Sequence, residues 1–304
     1  MDCGALCRLL EEAGACAAGV CRVEPVPDWE RRRLLDWLAR GCHGTMDYLE
    51  RNAPLAADPT SLLEGARTIA CAAFAYAPAH ASDCHPLFAD YARGADYHKV
   101  LKKRLRPVAR ALEEAAPGSR TRICVDTAPV RERFWAQAAG IGRCGLNGQL
   151  IVPGVGCGVF LAEILWTEDV AGARSVGEEA VESACAACGA CVAACPAGAL
   201  DGRGGVDATR CLSYLTIEYR DEFPAALRLT GRIYGCDICR DVCPENHPHD
   251  PLPEFTMRPA IAAVTPQSIV ELTPEAYDAL TAGSAIRRVS AEQLRRNLKA
   301  SEIK

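Results

Sequence analysis

Eight cysteines crowd into one stretch of the chain, and they constrain its fold more than any other feature. Cys185, Cys188, Cys191 and Cys195 stand as Cys-x-x-Cys-x-x-Cys-x-x-x-Cys, closed by Pro196. Cys236, Cys239 and Cys243 stand as Cys-x-x-Cys-x-x-x-Cys, closed by Pro244, and Cys211 lies between the two runs. The first run has the bacterial ferredoxin spacing, in which the fourth cysteine crosses to the other cluster. The spacing therefore predicts two 4Fe-4S clusters and a chain that moves single electrons.

The crossover rule assigns the ligands. Cys185, Cys188 and Cys191 hold one cluster, completed by Cys243. Cys195 crosses to the second, which Cys236 and Cys239 hold locally. That leaves Cys211 as its fourth ligand. Structural zinc sites also use Cys-x-x-Cys pairs, but zinc does not call for four cysteines this close before a proline. A disulfide framework needs separated, geometrically matched partners.

The chain has 304 residues, 49% hydrophobic and 24% charged, enough for one large domain and a smaller one. Its start lacks a charged segment followed by an apolar one, so no secretory signal is read. The longest apolar stretch, residues 68–79, is too short to span a bilayer, so no membrane partner is expected. Eighteen cysteines with thiolate ligation imply a reducing compartment, hence the cytoplasm. The ten outside the cluster set are Cys3, Cys7, Cys16, Cys21, Cys42, Cys71, Cys84, Cys124, Cys144 and Cys157. Most are expected as small buried hydrophobes. The net charge of −5 gives no global pull toward nucleic acid. Residues 93–110, however, carry Arg93, Lys99, Lys102, Lys103, Arg104, Arg106 and Arg110 against one acid, Asp96. Such a face could meet phosphates, or it could be a solvated helix face.

Residues 1–40 read as helix, Pro-containing turn and helix. Residues 66–76 suit a buried strand. Residues 97–116 read as helix, with an interruption expected at Pro107. Residues 122–126 read as a strand ending in a turn, and 130–139 as a helix stopped by Gly140. Residues 150–152 and 158–166 look like two strands around a glycine-rich turn. Residues 169–183 read as a linker. In the tail, Thr273 before Pro274 and Ser290 with Gln293 mark helix starts. The mixture predicts an α+β fold, α/β-like in its N-terminal part.

Asp126 stands at a strand end, where α/β proteins place working groups. It could hold a proton as a general acid, or merely cap the following turn. Tyr97, His98 and Lys99 put three proton-bearing groups side by side. Residues 140–148 are glycine-dense, but Gly140, Gly142 and Gly145 follow a predicted helix and no lysine precedes Ser or Thr. A nucleotide fold is rejected on that basis, while close backbone approach to a large cofactor remains open.

Taken together, these segments resemble the epoxyqueuosine reductase family. The resemblance rests on Gly44-Thr45-Met46-Asp47-Tyr48-Leu49, on the run from Tyr91 through Asp96-Tyr97-His98 to Lys99, and on Val125-Asp126-Thr127-Ala128-Pro129-Val130. It rests also on the glycine segment with Asn147, the eight cluster cysteines, the runs 211–218 and 235–239, and 283–288. These run in family order across nearly the whole chain. The resemblance implies reduction of epoxyqueuosine to queuosine in the anticodon loop of tRNA, with cobalamin reduced through two 4Fe-4S clusters. It implies Asp126 as proton donor, and Tyr97, His98, Lys99 and Asn147 as cofactor- or substrate-binding residues. The partners implied are tRNA carrying epoxyqueuosine and an external low-potential electron donor, with the enzyme a monomer. The expected layout is a cobalamin-binding catalytic domain over 1–170, a ferredoxin-like two-cluster 4Fe-4S module over 171–250 and a short helical extension over 251–304.

Two departures stand out. Arg143 replaces a tryptophan usual in the family's glycine segment, and Leu146 replaces a lysine. Many members continue into a helical-repeat domain, so this chain looks like a short form. Two further functions compete: a cobalamin and iron–sulfur reductase acting on a small molecule, in the manner of reductive dehalogenases, and a plain two-cluster electron carrier. A carrier would not need the first 170 residues.

Overall fold

The structure, a computed structural model, describes residues 1–78, 85–177, 183–223, 227 and 229–301. Cys84 and part of the expected linker lie outside the described residues. The N-terminal part is built on strands β1 (Ala17–Arg22), β2 (Thr68–Ala75), β3 (Thr121–Cys124) and β6 (Val159–Trp166), in the order β1-β2-β6-β3. Every pairing is antiparallel, so the sheet departs from the α/β-like expectation. β1 departs too, because the sequence predicts helix and turn there. Its residues, Ala-Ala-Gly-Val-Cys-Arg, carry little local signal, and pairing of Ala17 through Arg22 with Ala73 through Thr68 makes them a strand.

Side chains alternate across the sheet and give it two cores. On one face Ala70, Ala72, Phe74, Ala162 and Ile164 meet Leu6 and Leu10 of α1 (Cys3–Glu12), with Leu101, Leu105 and Leu112 of a long helix, Tyr97–Ala115. Pro107 does not break that helix. It lies on the exposed side, where water can replace the hydrogen bond that proline removes. On the other face Ile69, Cys71, Ala73, Cys124 and Leu165 pack under Trp135 and Ala136 of a short helix, Glu132–Ala138. Between these lie α2 (Asp28–Ala39) and α3 (Asp47–Ala56), which makes the two later helices α4 and α5.

α5 sits close because the sheet beneath it is small. Gly19, Cys71, Glu163 and Cys124 form one row across the four strands. A Cβ on Gly19 would stand 2.3 Å from the Ala139 carbonyl oxygen at the end of α5. The same row buries a carboxylic acid, Glu163.

The remaining strands, β4 (Arg143–Cys144) and β5 (Leu150–Ile151), form a separate hairpin. The expected strands at 150–152 and 158–166 therefore exist but belong to different sheets. Among its described residues the cluster segment carries the short α-helices α6 (Ser183–Cys188), α7 (Ala190–Ala194), α8 (Leu212–Ile217) and α9 (Ile238–Asp241). The tail folds as α10 (Pro259–Ala262), α11 (Pro266–Val270), α12 (Pro274–Thr281) and α13 (Ala291–Ala300). Thr273 caps α12 and Ser290 with Gln293 forms a capping box on α13, as their sequence predicts. These helices share a core with Ile217, Ile233 and Tyr234 of the cluster segment and with Leu87 and Phe88. Among the described cysteines outside the cluster set, Cys21, Cys71, Cys124 and Cys157 are buried, and the others are partly accessible. Burial is thus less general than the sequence predicts. Among the described residues no helix is long and apolar enough to cross a membrane.

Candidate catalytic cleft and cluster module

The eight cluster cysteines converge in two sets. Cys185, Cys188, Cys191 and Cys243 line one small hollow, closed by Gly189, Pro244 and the β4–β5 hairpin. In the other set, Cys195 neighbours Cys211, and Cys211 neighbours Cys236 and Cys239. Burial, followed by the nearness of Cys211, pushes Cys236 up to about 11. Burial, followed by Cys236 and Cys211, pushes Cys239 up to about 12. Such thiols need positive charge to stay deprotonated, which iron supplies. The donor sets fit the sulfur ligation of two clusters.

Asn147 lies in the first hollow, not in the large cleft. Its Nδ2 donates to the Cys239 carbonyl at 3.3 Å and approaches Cys157 Sγ at 3.6 Å. Arg143 and Leu146 line the same hollow, and Arg143 pairs with Glu245 at 3.3 Å. The two departures from the family's glycine segment therefore bear on a cluster.

A cleft of about 1940 Å³ opens between α2, α3, the start of α4, the 126–131 loop and α8. It exceeds the space a drug-sized ligand needs. Trp29, Trp37, Met46, Leu49 and Tyr91 give it apolar walls, and Ser213 and Tyr214, just after Cys211, bring it against the second thiol set. A large, flat, partly apolar group such as a corrin fits these walls.

Asp126 projects into this cleft. β3 ends at Cys124, and Thr127 N–H then bonds the Val125 carbonyl across Asp126. Asp126 takes φ +52°, and it alone among the described non-glycine residues has positive φ. Aspartate tolerates that region better than most residues, yet such strain needs surroundings that hold it in place. Three contacts do so. Tyr97 Oη donates to Asp126 Oδ2 at 2.9 Å, His98 Nε2 lies 2.9 Å from the same oxygen, and Asp126 N–H donates to Glu132 Oε1 at 2.6 Å.

Asp96 organises the pair before Asp126. It caps α4 through His98 N–H and meets His98 Nδ1 at 2.8 Å. Tyr97 stacks on Phe160, with centroids 4.3 Å apart. Burial would lower the His98 pKa, but bonds to Asp126 and Asp96 outweigh it and raise it to about 9. Burial likewise acts to raise Asp126, but the His98 hydrogen bond and charge leave it below the ordinary carboxylate range. At neutral pH the proton thus resides on His98, with Asp126 as its carboxylate partner, whereas the family resemblance by itself puts it on Asp126. Lys99 is mostly exposed and lies 3.8 Å from Asp96 at the cleft edge.

The basic segment is divided by the fold. Arg93 is buried against Asp90 at 3.2 Å. Arg104 is committed to Glu254 and to the Ala13 carbonyl. Only Lys99 and Lys102 of the segment line the cleft, where Arg32, Arg33, Arg40 and Arg203 join them. Sequence reasoning missed Glu132 and Glu163 altogether. A lone acid in the apolar run Val-Phe-Leu-Ala-Glu-Ile-Leu-Trp of β6 was the available signal, since buried charge is rare.

Two thiol sets beside an open cleft with a proton-bearing triad define an iron–sulfur oxidoreductase. Residues 184–246 match a 4Fe-4S double cluster binding domain, and residues 57–127 match the family described as epoxyqueuosine reductase QueG, DUF1730. An epoxyqueuosine reductase of Gloeobacter violaceus is 36% identical over 93% of this chain and 90% of its own. One from Synechocystis is 33% identical over 92% of this chain and 99% of its own. This chain belongs to the epoxyqueuosine reductase family, whose cofactors are two 4Fe-4S clusters and cobalamin.

Solved structures agree. An epoxyqueuosine reductase crystallised with an epoxyqueuosine-modified tRNA-Tyr stem loop aligns with TM-score 0.83 and 26% identity, over 97% of this chain and 79% of that one. The Bacillus subtilis enzyme, captured with its catalytic aspartate loop swung out of the active site, aligns with TM-score 0.82 and 26% identity over the same shares.

Proposed function

We propose that this chain reduces epoxyqueuosine to queuosine in tRNA. The observation that carries this reading is the Tyr97–His98–Asp126 group on the wall of a cleft whose far side follows Cys211. Loss of the epoxide oxygen breaks two C–O bonds, forms a C=C bond, consumes two electrons and two protons, and releases water. Cobalamin, when bound in the cleft, supplies a metal centre that delivers electrons to carbon. The protein's part is to hold the cofactor between apolar walls, exclude water and hand a proton to the leaving oxygen. We assign that proton to the His98–Asp126 pair: His98 stores it, and Asp126 Oδ2, which both His98 and Tyr97 contact, faces the substrate. Asp96 holds the imidazole at its other nitrogen.

Cys185, Cys188, Cys191 and Cys243 would ligate the outer cluster, where Cys188 is exposed and an external low-potential donor can approach. Cys195, Cys211, Cys236 and Cys239 would ligate the inner cluster beside the cleft. We divide the chain into a catalytic domain over 1–170, a cluster module over 171–250 and a helical extension over 251–304 that braces the module. Exposed large apolar residues such as Leu35, Val242 and Val270 come from different elements, which fits a monomer, and reduced thiols fit the cytoplasm. A small-molecule substrate is the weaker reading, since the relatives matching nearly full length are epoxyqueuosine reductases. The deciding experiment is anaerobic reconstitution with iron, sulfide and cobalamin, then assay on epoxyqueuosine-containing tRNA. Queuosine should form, and none under full reduction would overturn the proposal.

A further inference from the structure

Asp126 sits in a strained turn whose local bonds run from Thr127 to the Val125 carbonyl. Its side chain is 53% accessible on the cleft wall, while its backbone N–H points toward the protein. That N–H meets Glu132 Oε1 at 2.6 Å. Glu132 opens α5, which Trp135 and Ala136 anchor in the core under the sheet. The donor is thus in a loop and the acceptor on a fixed helix. We propose that Glu132 is the positioning residue of the Asp126 loop: its carboxyl latches the Asp126 N–H to the first turn of α5 and so holds Asp126 against His98 and Tyr97. The inference rests on the role assigned to Asp126 only for its effect on turnover.

The electrostatics around the latch favour this division of labour. Three carboxyls step from cleft to core: Asp126, Glu132 and Glu163. Asp126 faces His98. Burial, then the Asp126 carboxylate, pushes Glu132 up to about 7. Burial, then Glu132 and Asp126, raises Glu163 well above the usual range. Glu163 is 1% exposed and, among the described residues, neither carboxyl oxygen has a hydrogen-bond partner. Its neighbours in the strand row, Cys71 and Cys124, are thiols that burial and Glu163 also raise. The remaining charged or titratable groups near Glu132 are Arg133, His98 and Tyr97. The one site where negative charge is favoured is therefore the carboxylate facing the cleft. A neutral Glu132 can accept the Asp126 N–H without repelling the Asp126 carboxylate. The loop of the Bacillus subtilis relative takes a swung-out position, and the bond between Glu132 and Asp126 opposes such a movement.

His98 reports the latch directly, because Asp126 is one of its two carboxylate partners. The test titrates His98 by NMR in the full chain, comparing native protein with Glu132→Ala and Glu132→Gln. With alanine the loop loses its anchor and His98 keeps only Asp96. Its pKa should fall by about one pH unit or more, and turnover about tenfold or more with KM little changed. Glutamine retains a carbonyl acceptor. It should keep the His98 titration within about half a unit of native and recover most of the turnover that alanine loses. A His98 titration unmoved by Glu132→Ala would overturn the latch. So would a Glu132→Gln variant as damaged as alanine in both readouts, because the proton rather than the hydrogen bond would then matter. Hydrogen exchange at the Asp126 amide of native protein needs no variant: slow exchange is expected, and exchange as fast as in an open loop overturns the proposal. If Asp126 proves dispensable for turnover, the catalytic reading fails while the titration and exchange still judge the latch.

Discussion

In the cluster module, the eight thiols assigned to the clusters lie between Cys185 and Cys243, and five of them are separated from the next by only two or three residues. The cleft is assembled from Trp29 at one end of the chain to Arg288 at the other. The module must match iron–sulfur bond lengths, so ligand spacing is written into short segments. The cleft must place charge and exclude water, and both depend on what surrounds a side chain. Asp126 and Glu132 make the point on a small scale. They are six residues apart and chemically alike, yet one is held charged by His98 and the other pushed to about 7 by burial and its neighbour.

The sharpest way to break this comparison is to remove the ligand that spacing identifies least. Cys211→Ala should lose the inner cluster, dropping iron from about eight to about four per chain and abolishing turnover. Iron analysis and EPR of the reduced protein would read this, and retention of both clusters would detach Cys211 from the set. Asp126→Asn should reduce turnover by about a hundredfold or more while cluster content and cobalamin binding stay near native. Asparagine is itself a good turn and cap residue, so near-native turnover would return Asp126 to a structural role.

A third effect is smaller and concerns pH. His98 is raised from its ordinary 6.5 to about 9 by its carboxylate partners. The stabilisation from that ion pair is full below about 6.5 and is lost as pH rises through about 9. Turnover, measured across pH with the reductant held constant, should decline on the alkaline side near that value. Asp96→Asn should move the decline to lower pH, and an unmoved profile would place the proton elsewhere. Smallest is the contribution of single surface cations to tRNA affinity. Replacing Arg32, Lys102 and Arg203 by glutamine should lessen the slope of log affinity against log salt by about 0.7–0.9 for each phosphate no longer neutralised. The triple change Lys103, Arg106 and Arg110 to glutamine on α4 should do less, because these residues do not line the cleft. Equal effects from both sets would show that the cleft rim does not set tRNA affinity.

The legible part of the molecule follows the same division. The buried strand β2 is an unbroken apolar run, and α12 and α13 announce their starts through Thr273, Ser290 and Gln293. β1 was illegible because Ala17–Arg22 becomes a strand only by pairing with β2. The basic segment reads as one face, but burial takes Arg93 and an ion pair takes Arg104. Asn147 reads as a cofactor contact in the catalytic part, and it stands beside the cluster cysteines because the β4–β5 hairpin folds onto them.

By itself, the number and spacing of the cysteines pointed to two clusters, which the match of residues 184–246 to a 4Fe-4S double cluster binding domain bears out, and it suggested the division of ligands proposed above, since iron ligation tolerates little variation in distance. The Asp96-Tyr97-His98 and Asp126-Thr127-Ala128-Pro129 segments carried the family. Tertiary structure alone decided that His98 and Tyr97 meet at Asp126, that Glu132 accepts the Asp126 N–H from behind and that Glu163 lies in the core, where burial raises its carboxyl well above the usual range. Protonation depends on burial and on partners distant in the chain, and no local pattern of residues encodes either.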